Sequence, residues 1–271
     1  ILTAGLRNVQ LNKEDRHDVR AVQARVAKAW LGCGQGTNAR IAIMDIGWTD
    51  VCQIIAGDQT KLVERIKALD DWEPAKKVWK AREEQRKADP RPKERKGLFQ
   101  NGYDFWEAAG REDIATTCAK SKRELLRRKE LINDEVGRRD RTVKENWTRH
   151  LWTHAGYDDL RTNGKKAYHI SRGTRRTRGL MTALRSNAWA LREGRRTAGE
   201  IEPEDRLCPH CDMHQPETDS HVLLHCEGYK LQRSKCWKTL RKTWTKSQYE
   251  NFKKLDDRGK MVLMKGETRE L

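Results

Sequence analysis

At 271 residues the chain has room for one or two domains, but only 36% of its residues are hydrophobic and another 36% are charged, which excludes one large apolar core. Its formal net charge of +17 points to a polyanionic partner, and no apolar run reaches the length of a membrane span or a secretory leader. Ten tryptophans can each bury a large area, so several small helical clusters in an elongated, mainly α chain are expected, with little or no sheet.

In chain order, Val19, Val22, Val26 and Trp30 recur at helical intervals and predict a helix stopped by Gly32-Cys33-Gly34-Gln35-Gly36. These glycines read as a turn, because no Walker lysine follows and no strand precedes. Leu62, Val63, Ile66, Leu69 and Trp72 form a second stripe, interrupted at Pro74 and resumed at Val78 and Trp79 before a linker at Asp89-Pro90-Arg91-Pro92. Ser121 and Glu124 have capping-box spacing ahead of Leu125, Leu126, Leu131, Ile132 and Val136, and Val143, Trp147 and Leu151 continue the period. Leu180, Leu184, Ala188 and Leu191 step by about four residues, as do Trp237, Leu240 and Trp244.

Residues 161–199 hold eleven Lys or Arg against one acid, Glu193. That density exceeds what solubility requires, and arginine presents a planar fork of donors that suits phosphate. Arg172, Arg175, Arg176 and Arg178 lie in a Gly/Thr-rich stretch; Arg185, Arg192, Arg195 and Arg196 would extend the patch along a helix backed by leucines. These eight are the candidate nucleic-acid-binding residues, while a solvated face or a match to acidic protein is the bland alternative. Tyr168 and Trp189 suit core packing better than base stacking. Tyr157-Asp158-Asp159 misses the Tyr-x-Asp-Asp polymerase pattern by one residue, and Asp70-Asp71 and Asp256-Asp257 are weaker still. No catalytic set is expected in this segment.

The strongest signal is Cys208, Cys211, His221 and Cys226, a Cys-x₂-Cys-x₉-His-x₄-Cys spacing that offers three thiolates and an imidazole to one tetrahedral Zn²⁺. The polar run from Asp212 to Ser220 suits the loop, and Asp219 or Ser220 is expected to cap the short helix presenting His221. His210, His214 and His225 lie close by, and His225 could replace Cys226 in a Cys₂His₂ set; the thiolate is preferred. A redox Cys-x-x-Cys would need a βαβ context that is missing. Four further cysteines, Cys33, Cys52, Cys118 and Cys236, stand singly, which argues for a reducing compartment, the cytosol or nucleus.

The order of these features resembles the C-terminal part of a non-LTR (LINE-type) retrotransposon reverse transcriptase, the region after the polymerase thumb. The resemblance rests on Leu184-Arg185-Ser186, Gly194-Arg195, Arg206-Leu207-Cys208-Pro209-x-Cys211 and Glu217-Thr218-x-x-His221-x-Leu223-Leu224-x-Cys226-x-x-Tyr229. Ala29-Trp30-Leu31-Gly32 and Ala39–Trp48 resemble, more loosely, the connector that follows the thumb. The resemblance implies a helical connector and a structural zinc knuckle that hold template RNA or target DNA beside an upstream polymerase domain of the same polyprotein. The chain opens at Ile1 and is accordingly read as a piece of a longer product. On that plan residues 1–95 are the connector, 96–200 a basic helical linker region, 201–232 the knuckle and 233–271 a basic helix and tail. A helical protein-interaction scaffold that docks the polymerase is the competing expectation.

Overall fold

The computed structural model describes Leu6, residues 11–34, 36–88, 97–155 and 174–186, Leu191 and residues 203–264. Among these residues the regular elements are helical, and the one strand-like feature is an isolated antiparallel bridge between Leu207 and Pro216. The mainly α expectation holds. In order they are α1 (Lys13–Leu31), α2 (Ala39–Ile46), α3 (Val51–Lys67), α4 (Pro74–Ala88), α5 (Leu98–Glu107), α6 (Glu112–Thr116), α7 (Lys122–Ala155), α8 (Arg175–Arg185), α9 (Lys230–Thr243), α10 (Lys246–Lys254) and α11 (Asp257–Met264). No helix among the described residues is long and apolar enough to cross a membrane. Contacts group the chain into two units that interleave in sequence, Ile1–Gln23 with Thr49–Lys144 and Ala24–Trp48 with Glu145–Leu271.

The first unit packs α3 against α5, with Phe105, Trp106, Ile114, Ala115 and Ile132 in one cluster and Leu11, Val51 and Ile55 in another. Gly57 makes room for α7, since a Cβ there would stand 2.5 Å from Val136 Cγ2. The core also carries charge. Glu64, wholly buried, accepts from Lys67 Nζ (2.9 Å), Trp106 Nε1 (3.1 Å) and Arg128 Nη1 (2.8 Å). Lys67 donates further to the Ile114 and Ala115 carbonyls, at 3.2 and 2.7 Å. Burial holds the Lys67 ammonium below the ordinary lysine value, with Glu64 offsetting part of the effect. A second buried acid, Asp50, takes a bidentate Arg20 fork, while its backbone N–H donates to Asp140 Oδ1 at 2.8 Å. This charge explains why the expected stripe was incomplete: Val63 and Trp79 are buried, but Leu69, Trp72 and Val78 face solvent, and Glu64 and Lys67 take the inner face of α3.

In the second unit the C-terminal half of α1 meets α2 through Ala24, Ala27, Leu31, Ala42, Ile43 and Ile46, with Trp147 packed against them. The face buried is the alanine face. Val26 and Trp30, half of the expected stripe, are 44% and 40% exposed, because small side chains let helices approach where bulky ones would hold them apart. Asn38 caps α2 by accepting from the Arg40 N–H (2.9 Å), and Gly47 ends it in the left-handed conformation (φ 74°).

α8 crosses the end of α1 at Gly32, whose φ is +77°. A Cβ on Gly179 would lie 2.5 Å from the Gly32 carbonyl oxygen, so two glycines meet backbone to backbone. α8 stops at Arg185 and Leu191 lies in a bend, so the helix expected to run from Leu180 to Leu191 is shorter. Ala188, like the linker at Asp89–Pro92, lies outside the described residues. At the C-terminus α10 and α11 follow α9, around Phe252, whose ring meets Trp237 and Trp244 at centroid distances of 5.4 and 5.2 Å.

Candidate metal centre

The backbone first makes a small loop closed on itself. The Cys208 N–H donates to the Gln215 carbonyl and the Glu217 N–H to that of Arg206, both at 2.8 Å, pinning the two sides of the Leu207–Pro216 bridge. The returning chain passes through His214 at φ 50°, a left-handed conformation that histidine tolerates better than branched residues do. Thr218, rather than Asp219 or Ser220, then caps the next turn: its Oγ1 accepts from the His221 N–H at 3.0 Å, while Asp219 bonds its neighbour, the Ser220 N–H.

The His-x₄-Cys step is not a regular α turn. His221–His225 forms a single π turn, closed by the Cys226 N–H donating to the His221 carbonyl at 2.7 Å. In an α-helix a five-residue step would rotate the second ligand about 140° away from the first. The wider turn brings it back to the same side.

The result is a four-ligand cluster. One ligand atom from each of Cys208, Cys211, His221 and Cys226 lies within 4.8 Å of all the others. Cys208 Sγ is 3.6 Å from Cys226 Sγ, and Cys211 Sγ is 3.3 Å from His221 Nε2. Cys208, His221 and Cys226 are buried, so water has little access. His221 Nδ1 is 3.1 Å from Gln215 Oε1; as a donor there it leaves Nε2 unprotonated toward the centre. Gln215 is a supporting residue the sequence did not reveal. Gly228 seals the underside, since a Cβ there would run into the His210 carbonyl, and the His210 and Tyr229 rings meet edge to face at 5.0 Å.

Electrostatics favour the ligand forms unevenly. Burial pushes the Cys208 thiol up to about 11. The Met213 backbone N–H draws the Cys211 thiol below its ordinary value. Burial lowers His221, keeping its imidazole neutral and able to donate a lone pair. These four residues can hold a metal ion by geometry and by donor chemistry. His225 stands apart: its Nε2 pairs with Asp257 Oδ2 at 2.7 Å, and Cys226 occupies the fourth position. His210 and His214 are likewise outside the cluster.

The basic candidates divide. Arg175 and Arg176 are exposed on the first turn of α8, and Arg175 Nη2 also donates to the Ala29 carbonyl at 3.0 Å. Arg178 lies with its guanidinium 4.4 Å from the centre of the Trp30 ring. Arg185 corrects the expectation: it is 4% exposed, with its Nε 3.1 Å from the buried Asp45 carboxylate, to which Thr182 Oγ1 also donates. In that position it ties α8 to α2 and does not face solvent phosphate. Arg172, Arg192, Arg195 and Arg196 lie outside the described residues, as do Tyr168, Trp189 and Tyr157-Asp158-Asp159.

The remaining acidic pairs are structural. Asp71 pairs with Lys80 at 2.7 Å, and Asp256 accepts from the Gly259 N–H at 2.8 Å at the start of α11. Among the described residues no second group of three or more His, Cys, Asp or Glu side chains gathers closely enough to hold an ion. Comparison of the chain with family models, with curated proteins and with solved structures gave no match.

Proposed function

We infer that this chain is a nucleic-acid-binding C-terminal segment of a non-LTR retrotransposon reverse transcriptase, stapled by one structural Zn²⁺ and helping to hold template RNA or target DNA while an upstream polymerase domain copies it. The observation that carries the metal half is the convergence of Cys208, Cys211, His221 and Cys226. A tetrahedral zinc with ~2.3 Å sulfur bonds separates neighbouring sulfurs by ~3.8 Å, somewhat less for a sulfur–nitrogen edge. The sulfur–sulfur and sulfur–nitrogen distances of 3.6 and 3.3 Å fit that figure. Three thiolates and an imidazole suit zinc over harder cations, and four protein ligands leave no place for a catalytic water. When bound, the ion supplies folding energy to a stretch with little apolar surface of its own.

The nucleic-acid half is supported by the net charge of +17 and by exposed Arg175 and Arg176; the parentage is supported by the order of motifs around the cysteines. The isolated cysteines, none of them in a disulfide, fit a reducing compartment, the cytosol or nucleus. A second reading is a helical scaffold that docks the polymerase domain; the burial of Arg185 against this chain's own Asp45 weakens the first reading by taking one arginine out of the exposed basic set.

Metal analysis tests the first half. The purified chain carries one equivalent of zinc, and Cys208→Ser removes it and loosens residues 203–229 to proteolysis while urea unfolding of the first unit keeps its midpoint. A metal-free yet equally protected wild type would refute the staple. Binding of RNA and DNA oligonucleotides tests the second half, and absence of binding to either leaves the scaffold.

A further inference from the structure

Trp30 is an anomaly that the core does not explain. It lies in the last turn of α1, yet 40% of it is exposed, while the alanine face of the same helix makes the packing. A tryptophan left this open forgoes much of the burial that makes the residue worth having. The Arg178 guanidinium lies over it, 4.4 Å from the ring centre, and among the described residues the buried Arg178 Nε has no hydrogen-bond partner. Arg178 is therefore held by stacking, not by an acid, and its charge is not cancelled by an ion pair on that nitrogen.

Among the described residues of α1 after Gln23, α2 and α8, the charges outside the core share one sign. From Ala24 to the end of α1 the charged residues are Arg25 and Lys28; α2 adds exposed Arg40, and α8 adds exposed Arg175 and Arg176. The acid in these elements, Asp45, is 1% exposed and turned to Thr182 and Arg185. The carbonyl end of α1, which would repel an anion, is covered in part by Arg175, which donates to the Ala29 carbonyl at 3.0 Å.

An open aromatic ring with a planar cation laid on it, flanked by exposed arginines, is the pairing that binds single strands: the stack takes a base and the cations follow the backbone. A duplex keeps its bases stacked on one another and offers the ring nothing. We propose that the Trp30–Arg178 pair is a stacking platform for one unpaired base of single-stranded nucleic acid, with Arg175 and Arg176 gripping the adjoining phosphates. This rests on the nucleic-acid reading above and names the form of nucleic acid that the site selects.

The test is fluorescence anisotropy of the full chain with labelled oligo-dT, oligo-U and a duplex of equal length. Wild type prefers the single strands. Trp30→Ala weakens them about tenfold, the loss of one stacked base, with duplex binding and the dependence on salt unchanged. Trp30→Phe, which keeps a ring for Arg178 to cover, recovers most of the loss and guards against misfolding of α8. Arg176→Ala weakens all three and lowers the salt slope by about one contact. Trp30→Ala binding like wild type, losing single strand and duplex equally, or not being rescued by phenylalanine overturns the platform while salt-dependent binding leaves the nucleic-acid reading standing. A wild type that binds none of the three overturns both.

Discussion

Glu64 shows how much a single side chain can hold in this protein. It sits at 0% exposure with Lys67, Trp106 and Arg128 all donating to it; Lys67 Nζ has it as its acid partner, while Arg128 shares its fork with Glu124 at 2.8 Å. Removing its charge strands the Lys67 ammonium in the interior and leaves Arg128 with Glu124 alone, a loss that typically costs about 3–5 kcal/mol. Glu64→Gln is therefore expected to lower the unfolding free energy of the first unit, measured by urea titration, by that amount without changing the metal content; a loss under about 1 kcal/mol would show that water reaches the site. The metal ligands were legible because cysteine spacing states its chemistry within one short stretch. Arg185 was not. In sequence it belongs to an arginine-rich run, and its partner Asp45 is supplied by a helix far upstream that periodicity cannot pair with it.

At the level of elements, α7 starts where the Ser121–Glu124 spacing placed it. Ser121 Oγ accepts from the Glu124 N–H at 3.1 Å, but Glu124 reaches the Lys120 N–H (2.7 Å), one residue earlier than a capping box requires. That backbone bond first, and Arg128 second, hold the Glu124 carboxyl below the ordinary glutamate range. A depressed acid stabilises the folded form above its unfolded value, about 4.3, and the contribution is lost as pH falls through the folded value. The Glu124 carboxyl carbon is expected to titrate below 4.3 by NMR, with the first turn of α7 fraying in step; a midpoint at or above that value would remove the cap. Helix α5 went unread although Phe99, Tyr103 and Trp106 share helical spacing, and α10 although Thr245 and Gln248 form a complete capping box. Both are short, and each is fixed by one or two aromatic anchors instead of a long stripe: Phe105 with Trp106 in one, Phe252 in the other.

For the whole molecule, the helical class followed from composition and period, whereas the grouping of Ala24–Trp48 with the chain after Lys144 did not, because a hydrophobic period says which face is inward and not what it meets. Charge acts at this scale too. With a net +17, binding to nucleic acid is expected to weaken steeply with salt, log affinity falling by about 0.9 per duplex phosphate contact for each unit of log salt. Titration between low and physiological salt measures the slope, and a flat response would mean that the cations serve protein contacts. The crossing of Gly32 and Gly179 reaches past energetics to descent. A methyl group on Gly179 would strike the Gly32 carbonyl, and Gly32 is held by its left-handed backbone and by Arg175 close above it, so neither position drifts freely. Cousins of this protein whose surfaces have diverged beyond recognition should still carry that glycine couple, at the end of one helix and the middle of another.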